Sequence, residues 1–149
     1  MGKRHARAIA AAVHRRANGE RRTQGHDALD GTLALAQPAE AYARTLAHSD
    51  TLGHEVDGTT PGDRCEGFVG VRENVARVPA RDRPAATAAD AIERWLASPT
   101  HRRTLLASGV AHSGVGVWLR HGDAYIVHDV ASRRRLDRGL AKAFGRLTG

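Results

Sequence analysis

Apolar residues recur at helical spacing in several stretches of the chain and alternate at strand spacing in its last third. Residues 6–22 are alanine-rich and place Ile9, Val13 and the aliphatic stem of Arg16 on one side, which predicts a helix ending before Gly25 and Gly31. From Thr32 to Leu52 the positions Leu33, Leu35, Ala36, Ala39, Ala43, Leu46 and Ala47 hold helical spacing. Glu40 and Arg44 stand four apart on the wet side, and Pro38 sits near the start, where a first helical turn accepts it. The Gly- and Asp-rich stretch after Gly53 reads as a loop with one helical turn from Pro61 to Cys65, and Val71–Val78 as a short extended or irregular segment. Ala88–Ser98 predicts a helix with Ala91, Ile92, Trp95 and Leu96 on its dry face. The next helix follows at once, with Ser98 as its cap, Pro99 in its first position and His101 in its first turn.

Gly114–Arg120 and Ala124–Val130 then read as two strands of a hairpin turning at His121-Gly122-Asp123. Alternation in the second strand puts Tyr125, Val127 and Asp129 on one face. Helices before and around a hairpin predict an α+β fold, with helices packed on a largely antiparallel sheet. The chain divides into a basic lead (residues 1–8), one domain (9–131) and a basic C-terminal tail (132–149). In the tail, Leu136, Leu140, Ala143, Phe144 and Leu147 form one helical stripe under a basic face.

Composition narrows this picture. The chain has 149 residues, 41% hydrophobic but only 4% aromatic, so the core has to be built mainly from Ala, Leu and Val. One cysteine, Cys65, excludes an internal disulfide and a cysteine-based zinc site. The net charge of +7 is uneven: +6 over residues 1–22, +5 over 133–149 and −4 between. The domain proper is therefore mildly acidic, which argues against nucleic acid as the partner and leaves the ends free for anionic surfaces. No stretch matches a membrane span or a signal peptide, so the cytoplasm is the default expectation.

Walker, Rossmann, zincin, CxxC and GxSxG motifs are all absent. Of nine histidines, His5, His14, His26, His48, His112 and His121 lie in basic, loop or turn settings. Three residues stand out. His54 follows Gly53 at the end of the long helix, Glu73 is a carboxylate inside an apolar run, and His101 opens a helix. Glu73 has to be solvated or paired, with Arg72 and Arg77 nearest in sequence. His101 feels the positive end of its helix, which favours neutral imidazole, or it serves simply as a hydrogen-bond partner of the backbone.

In order, the blocks "LGH", "DGTTPGDR", "RENVA", "WLASPTHRRTLL", "GVGVW" and "YIVHDVA" resemble the CAP superfamily of cysteine-rich secretory, antigen 5 and pathogenesis-related proteins, in its prokaryotic SCP-like branch. The resemblance covers roughly residues 9–131. It implies a three-layer α-β-α sandwich and a cleft in which His54, Glu73 and His101 match the family's two histidines and first glutamate. The second glutamate is here Ser98, the glycine before the Glu-Asn pair is Arg72, and the last strand's glutamine is His128.

Two imidazoles and a carboxylate suit Zn²⁺ or another divalent cation, with water in the open position. Without a second glutamate, Glu73 has to serve as either ligand or base. The resemblance thus favours a binding module for a small apolar (lipid- or sterol-like) or peptide ligand, most simply as a monomer. A zinc-dependent hydrolase using the same three residues is the second reading. The third is an interaction protein docking on an anionic membrane or on nucleic acid through its basic ends. Family members are mostly secreted, which sets the resemblance against the cytoplasmic default.

Overall fold

A computed structural model describes residues 2–134, and the side chains up to residue 132. Its elements are α1 (Lys3–Thr23), β1 (Asp30–Gly31), α2 (Leu33–Ser49), α3 (Pro61–Arg64), β2 (Phe68–Val69), β3 (Arg72–Pro79), α4 (Pro84–Ala97), α5 (Pro99–Leu105), β4 (His112–Arg120), β5 (Asp123–Ala131) and β6 (Arg133–Arg134). The amphipathic tail stripe from Leu136 to Leu147 lies outside the described residues. Helix α1 starts at Lys3, inside the stretch expected to be a lead, and buries Ala6 with Ile9, Val13 and Ala17. Arg16 is exposed; the long side chain on the buried face is Arg21 instead.

The main sheet has the order β1-β4-β5-β3. β3, β5 and β4 are antiparallel, and β1 joins β4 in parallel through only two residue pairs. The hairpin turn holds His121 (φ 51°) and Gly122 (φ 81°) in the left-handed region, the backbone a two-residue primed turn requires. β2 and β6 form a separate antiparallel pair.

Helix α2 covers one face of the sheet, where Ala39, Tyr42, Ala43 and Leu46 pack on Val75, Tyr125 and Val127. Helices α1, α4 and α5 cover the other, with Ile9, Val13, Ile92, Trp95 and Leu105 against Ala76, Val78, Val117 and Ile126. This is the α-β-α sandwich. The "GVGV" run explains how α2 sits so close. β-Carbons on Gly114 and Gly116 would lie 2.3 and 2.0 Å from the α2 backbone, so only glycine admits the helix, while Val115 and Val117 face α1.

The aromatics are few but central: Trp95, Tyr42 and Tyr125 are the largest fully buried side chains. Trp95 Nε1 donates to Val75 O (3.0 Å), which fastens α4 to β3. Arg21 is buried and donates to the carbonyls of Asp27 (2.8 Å), Leu105 (3.1 Å) and Ala107 (2.8 Å), which ties the end of α5 to α1. Leu33, expected on the dry face of α2, is 69% exposed. Pro38 lies inside α2 rather than in its first turn. Glu40 faces Arg7 (3.7 Å), whereas Arg44 stacks over Trp118 (5.1 Å). Ser98 occupies the cap position of α5, but its side chain makes no capping bond.

Candidate functional site

β3 is the edge strand opposite β1, and it presents Glu73 toward the α2 side of the sheet. A carboxylate buried there needs partners, and it has them. Arg64, at the end of α3, donates from one Nη to both oxygens (2.8 and 2.9 Å), and His54 Nδ1 donates to Oε2 (2.8 Å). A carboxylate only accepts, so Nδ1 of His54 carries a hydrogen. The Glu73 side chain is 1% exposed, that of His54 46%. Arg72 is exposed, and Arg77 is taken by Asp50 and Asp123, so neither sequence neighbour is the partner.

Arg64 holds the surrounding loop as well. Its other Nη donates to His54 O (2.9 Å) and Thr59 O (2.7 Å), and its guanidinium lies 3.4 Å from the Tyr42 ring centre. Tyr42 in turn donates to Gly53 O (2.5 Å) and accepts from Val56 N (3.2 Å). Thr60 and Asp63 form a reciprocal capping box that starts α3 and so places Arg64.

Asp129 pairs with Glu73 across β5 and β3 and is completely buried. Its Oδ1 meets no donor. A carboxyl opposite another carboxylate is satisfied when Asp129 is protonated and donates to Glu73. Burial first, and then the charge of Glu73, pushes the Asp129 carboxyl well above the usual range. For Glu73 burial works upward, but the hydrogen bonds from His54, Asp129 and Arg64 outweigh it and hold the carboxyl below its ordinary value. Cys65 donates to Asp129 Oδ2 (3.5 Å); burial raises its thiol, so it is no nucleophile.

His128, expected beside the cleft, points to the opposite face. It stacks on Trp95 (5.8 Å between centres), and burial pushes its pKa down to about 3. It is a neutral core residue, not an added basic group, because the pleat turns it away from Glu73. Asn74, its cross-strand partner, donates to His101 O (2.9 Å). The backbone of His101 is thus tied to β3 from one face, while His54 meets Glu73 from the other. Half-buried Ser98 lies in the connector between α4 and α5.

As placed, these residues do not fit a three-donor zinc site. Glu73 is engaged by Arg64 and His54, and among the described residues no three His, Cys, Asp or Glu side chains gather as a ligand set. Also among those residues, no helix is long and apolar enough to cross a membrane.

A family model described as the cysteine-rich secretory protein family matches residues 14–127. The chain belongs to the CAP family. No curated protein matches this CAP chain. Among solved structures it is similar to an outer surface protein of Borrelia burgdorferi, at 21% identity and TM-score 0.73, covering 84% of this chain and 92% of that one. It is also similar to an extracellular protein containing an SCP domain from Bacillus anthracis, at 20% identity and TM-score 0.70, covering 86% of this chain and 41% of that one. Venom allergen-like protein 4 of Schistosoma mansoni matches at 17% identity and TM-score 0.60, covering 89% and 90%. At these identities the likeness shows the CAP fold alone.

Two members of the site had no assigned role in the sequence reading. Arg64 was visible only as the last residue of "DGTTPGDR", since nothing in the spacing tells which carboxylate it meets. Asp129 left a clearer signal: a carboxylate on the strand face shared with Tyr125 and Val127.

Proposed function

We propose that this CAP domain is a binding module for a small apolar ligand, lipid- or sterol-like, with His54 at the rim of its site. The observation that carries the reading is the state of Glu73. Its oxygens accept from Arg64 and His54, and its side chain is 1% exposed. A general base or metal ligand needs an open lone pair within reach of substrate, and Glu73 offers none. It acts instead as a buried anchor that orients His54 and, through Arg64, the loop around it. Leu52, 45% exposed and two residues before His54, supplies apolar surface at the same rim. An extracellular setting, as named for two of the similar structures, belongs to the same proposal and is checked by cell fractionation.

The test is uptake of fluorescent fatty-acid and sterol probes by the full chain, with mass spectrometry of its solvent extract. Wild type is expected to take up probe, and His54→Ala to lose affinity about tenfold, ~1.4 kcal/mol, measured well below its own melting temperature, which loss of the bond to Glu73 lowers. A clean extract together with no uptake overturns the reading. Zinc calorimetry on wild type, His54→Ala and His101→Ala is expected to show no heat that depends on these histidines. Stoichiometric zinc binding lost in both variants would replace the binding module by the metal-site reading.

A further inference from the structure

At the opposite edge of the sheet, a groove of about 670 Å³ runs along β4 between α1 and α2. Ala6, Ala10 and Ala11 of α1 form one wall, and Leu33 and Ala36 of α2 the other. β1 covers only the first two positions of this edge, His112 and Ser113. The carbonyls of Ala111 and Ser113 accept from Asp30 N and Thr32 N (2.9 Å each), so alternate peptide groups of β4 point outward here. The same alternation directs the N–H and C=O of Val115 and Val117 into the groove, and among the described residues no strand pairs with them. An edge of this kind is a template for another strand.

The walls specify its occupant. An added strand alternates its side chains between the two sides; both sides are mainly apolar, with the uncharged Thr32 and Gln37 the polar exceptions on the α2 side, so successive residues have to be uncharged and mainly apolar rather than every second one. Charge is absent from the middle of the groove. At one end Arg7 is paired with Glu40, and at the other burial, helped by Arg15, favours neutral His14. Ser113 to Val117 spans about 13 Å at strand rise, the length of roughly four residues. Leu33, apolar and exposed, lies on this groove.

We propose that the β4 edge binds an extended, uncharged apolar peptide segment of about four residues, which continues the track of β1 as an added strand. A lipid fits the walls equally well but cannot bond to the Val115 and Val117 peptide groups, and the test uses that difference.

The probe is acetyl-Val-Ala-Val-Ala-amide added to the ¹⁵N-labelled full chain, with amide hydrogen exchange read at Val115 and Val117. At peptide about ten times its Kd, exchange at both amides is expected to slow about tenfold. Of two doubly N-methylated isomers, one methylated at residues 1 and 3 and the other at 2 and 4, only one is expected to keep binding. Ala36→Trp, which fills the groove from α2, should abolish protection; Ala11→Trp does the same from α1 if the first variant fails to fold. Equal binding of both isomers, or no slowing at millimolar peptide, overturns the proposal. So does protection in the free protein that vanishes on deleting residues 135–149 or on dilution, which would assign the edge to this chain's own end or to a second copy.

Discussion

Asp129→Asn separates two opposing proton linkages on one strand. Folded Asp129 keeps a proton that the unfolded chain releases above its ordinary 3.8. The native state then binds one proton more, and stability falls by up to about 1.4 kcal/mol per pH unit as pH rises, until the folded carboxyl ionises. His128, the preceding residue, works the other way. Pushed down to about 3 from 6.5, it stays neutral in the fold where the unfolded chain takes up a proton. Its contribution is complete above 6.5 and is lost by about 1.4 kcal/mol for each unit below. Half-buried His14, also lowered, adds to the sense of His128. Glu73 matters only as pH falls below its ordinary 4.5. Between about pH 4.5 and 6.5 the Asp129 slope cancels that of His128, leaving wild-type stability to rise only by the share of His14, and above 6.5 it should decline.

The amide in Asp129→Asn donates to Glu73 as the protonated acid does, without a titratable proton. Relative to wild type the variant should gain about 1.4 kcal/mol per unit, rising up to pH 6.5 and then staying level while wild type declines, so the two curves diverge upward. Urea unfolding followed by the fluorescence of Trp95 and Trp118, at half-unit steps to about pH 8, measures both. Parallel curves would show Asp129 ionised in the fold and refute the shared-proton account of the Glu73 pair.

Arg64→Leu leaves Glu73 buried without its cation and should cost about 3–5 kcal/mol at pH 7 by urea unfolding; the double variant Arg64→Leu/Glu73→Gln should recover a large part of it. Gly116→Ala puts a β-carbon 2.0 Å from the α2 backbone and should destabilise by about 3 kcal/mol or more, with Gly114→Ala behaving alike at 2.3 Å, both read as lowered urea midpoints. Trp95→Phe keeps a ring on His128 but removes the bond to Val75 O; it should cost about 1–3 kcal/mol, while Trp118→Phe, on a partly exposed side chain, should cost little.

Much of the architecture is local physics and was legible in the chain. Helical spacing in residues 6–22 and 32–52, the Ser98-Pro99 restart and the two alternating strands around His121-Gly122 each follow from near-neighbour sterics and burial. These elements imply the α+β sandwich because each has one face to cover. The residues alone left Glu73 solvated or paired with Arg72 or Arg77, and only the family resemblance put His54 and Glu73 in one cleft. What the chain could not say is which partners. Glu73 has Arg72 and Arg77 close by in sequence but pairs with Arg64, nine residues back, because the pleat turns Arg72 outward and Asp50 and Asp123 claim Arg77. His128 and Asp129 are neighbours in sequence, yet one stacks on Trp95 and the other lies opposite Glu73 across the two strands. Sequence alone determined the main helices and the two hairpin strands and most of their apolar positions, though not Leu33, which is exposed, nor the short strands β1, β2 and β6. Only the tertiary structure decided which charges meet, because pairing depends on distances across the sheet and on the water that packing excludes.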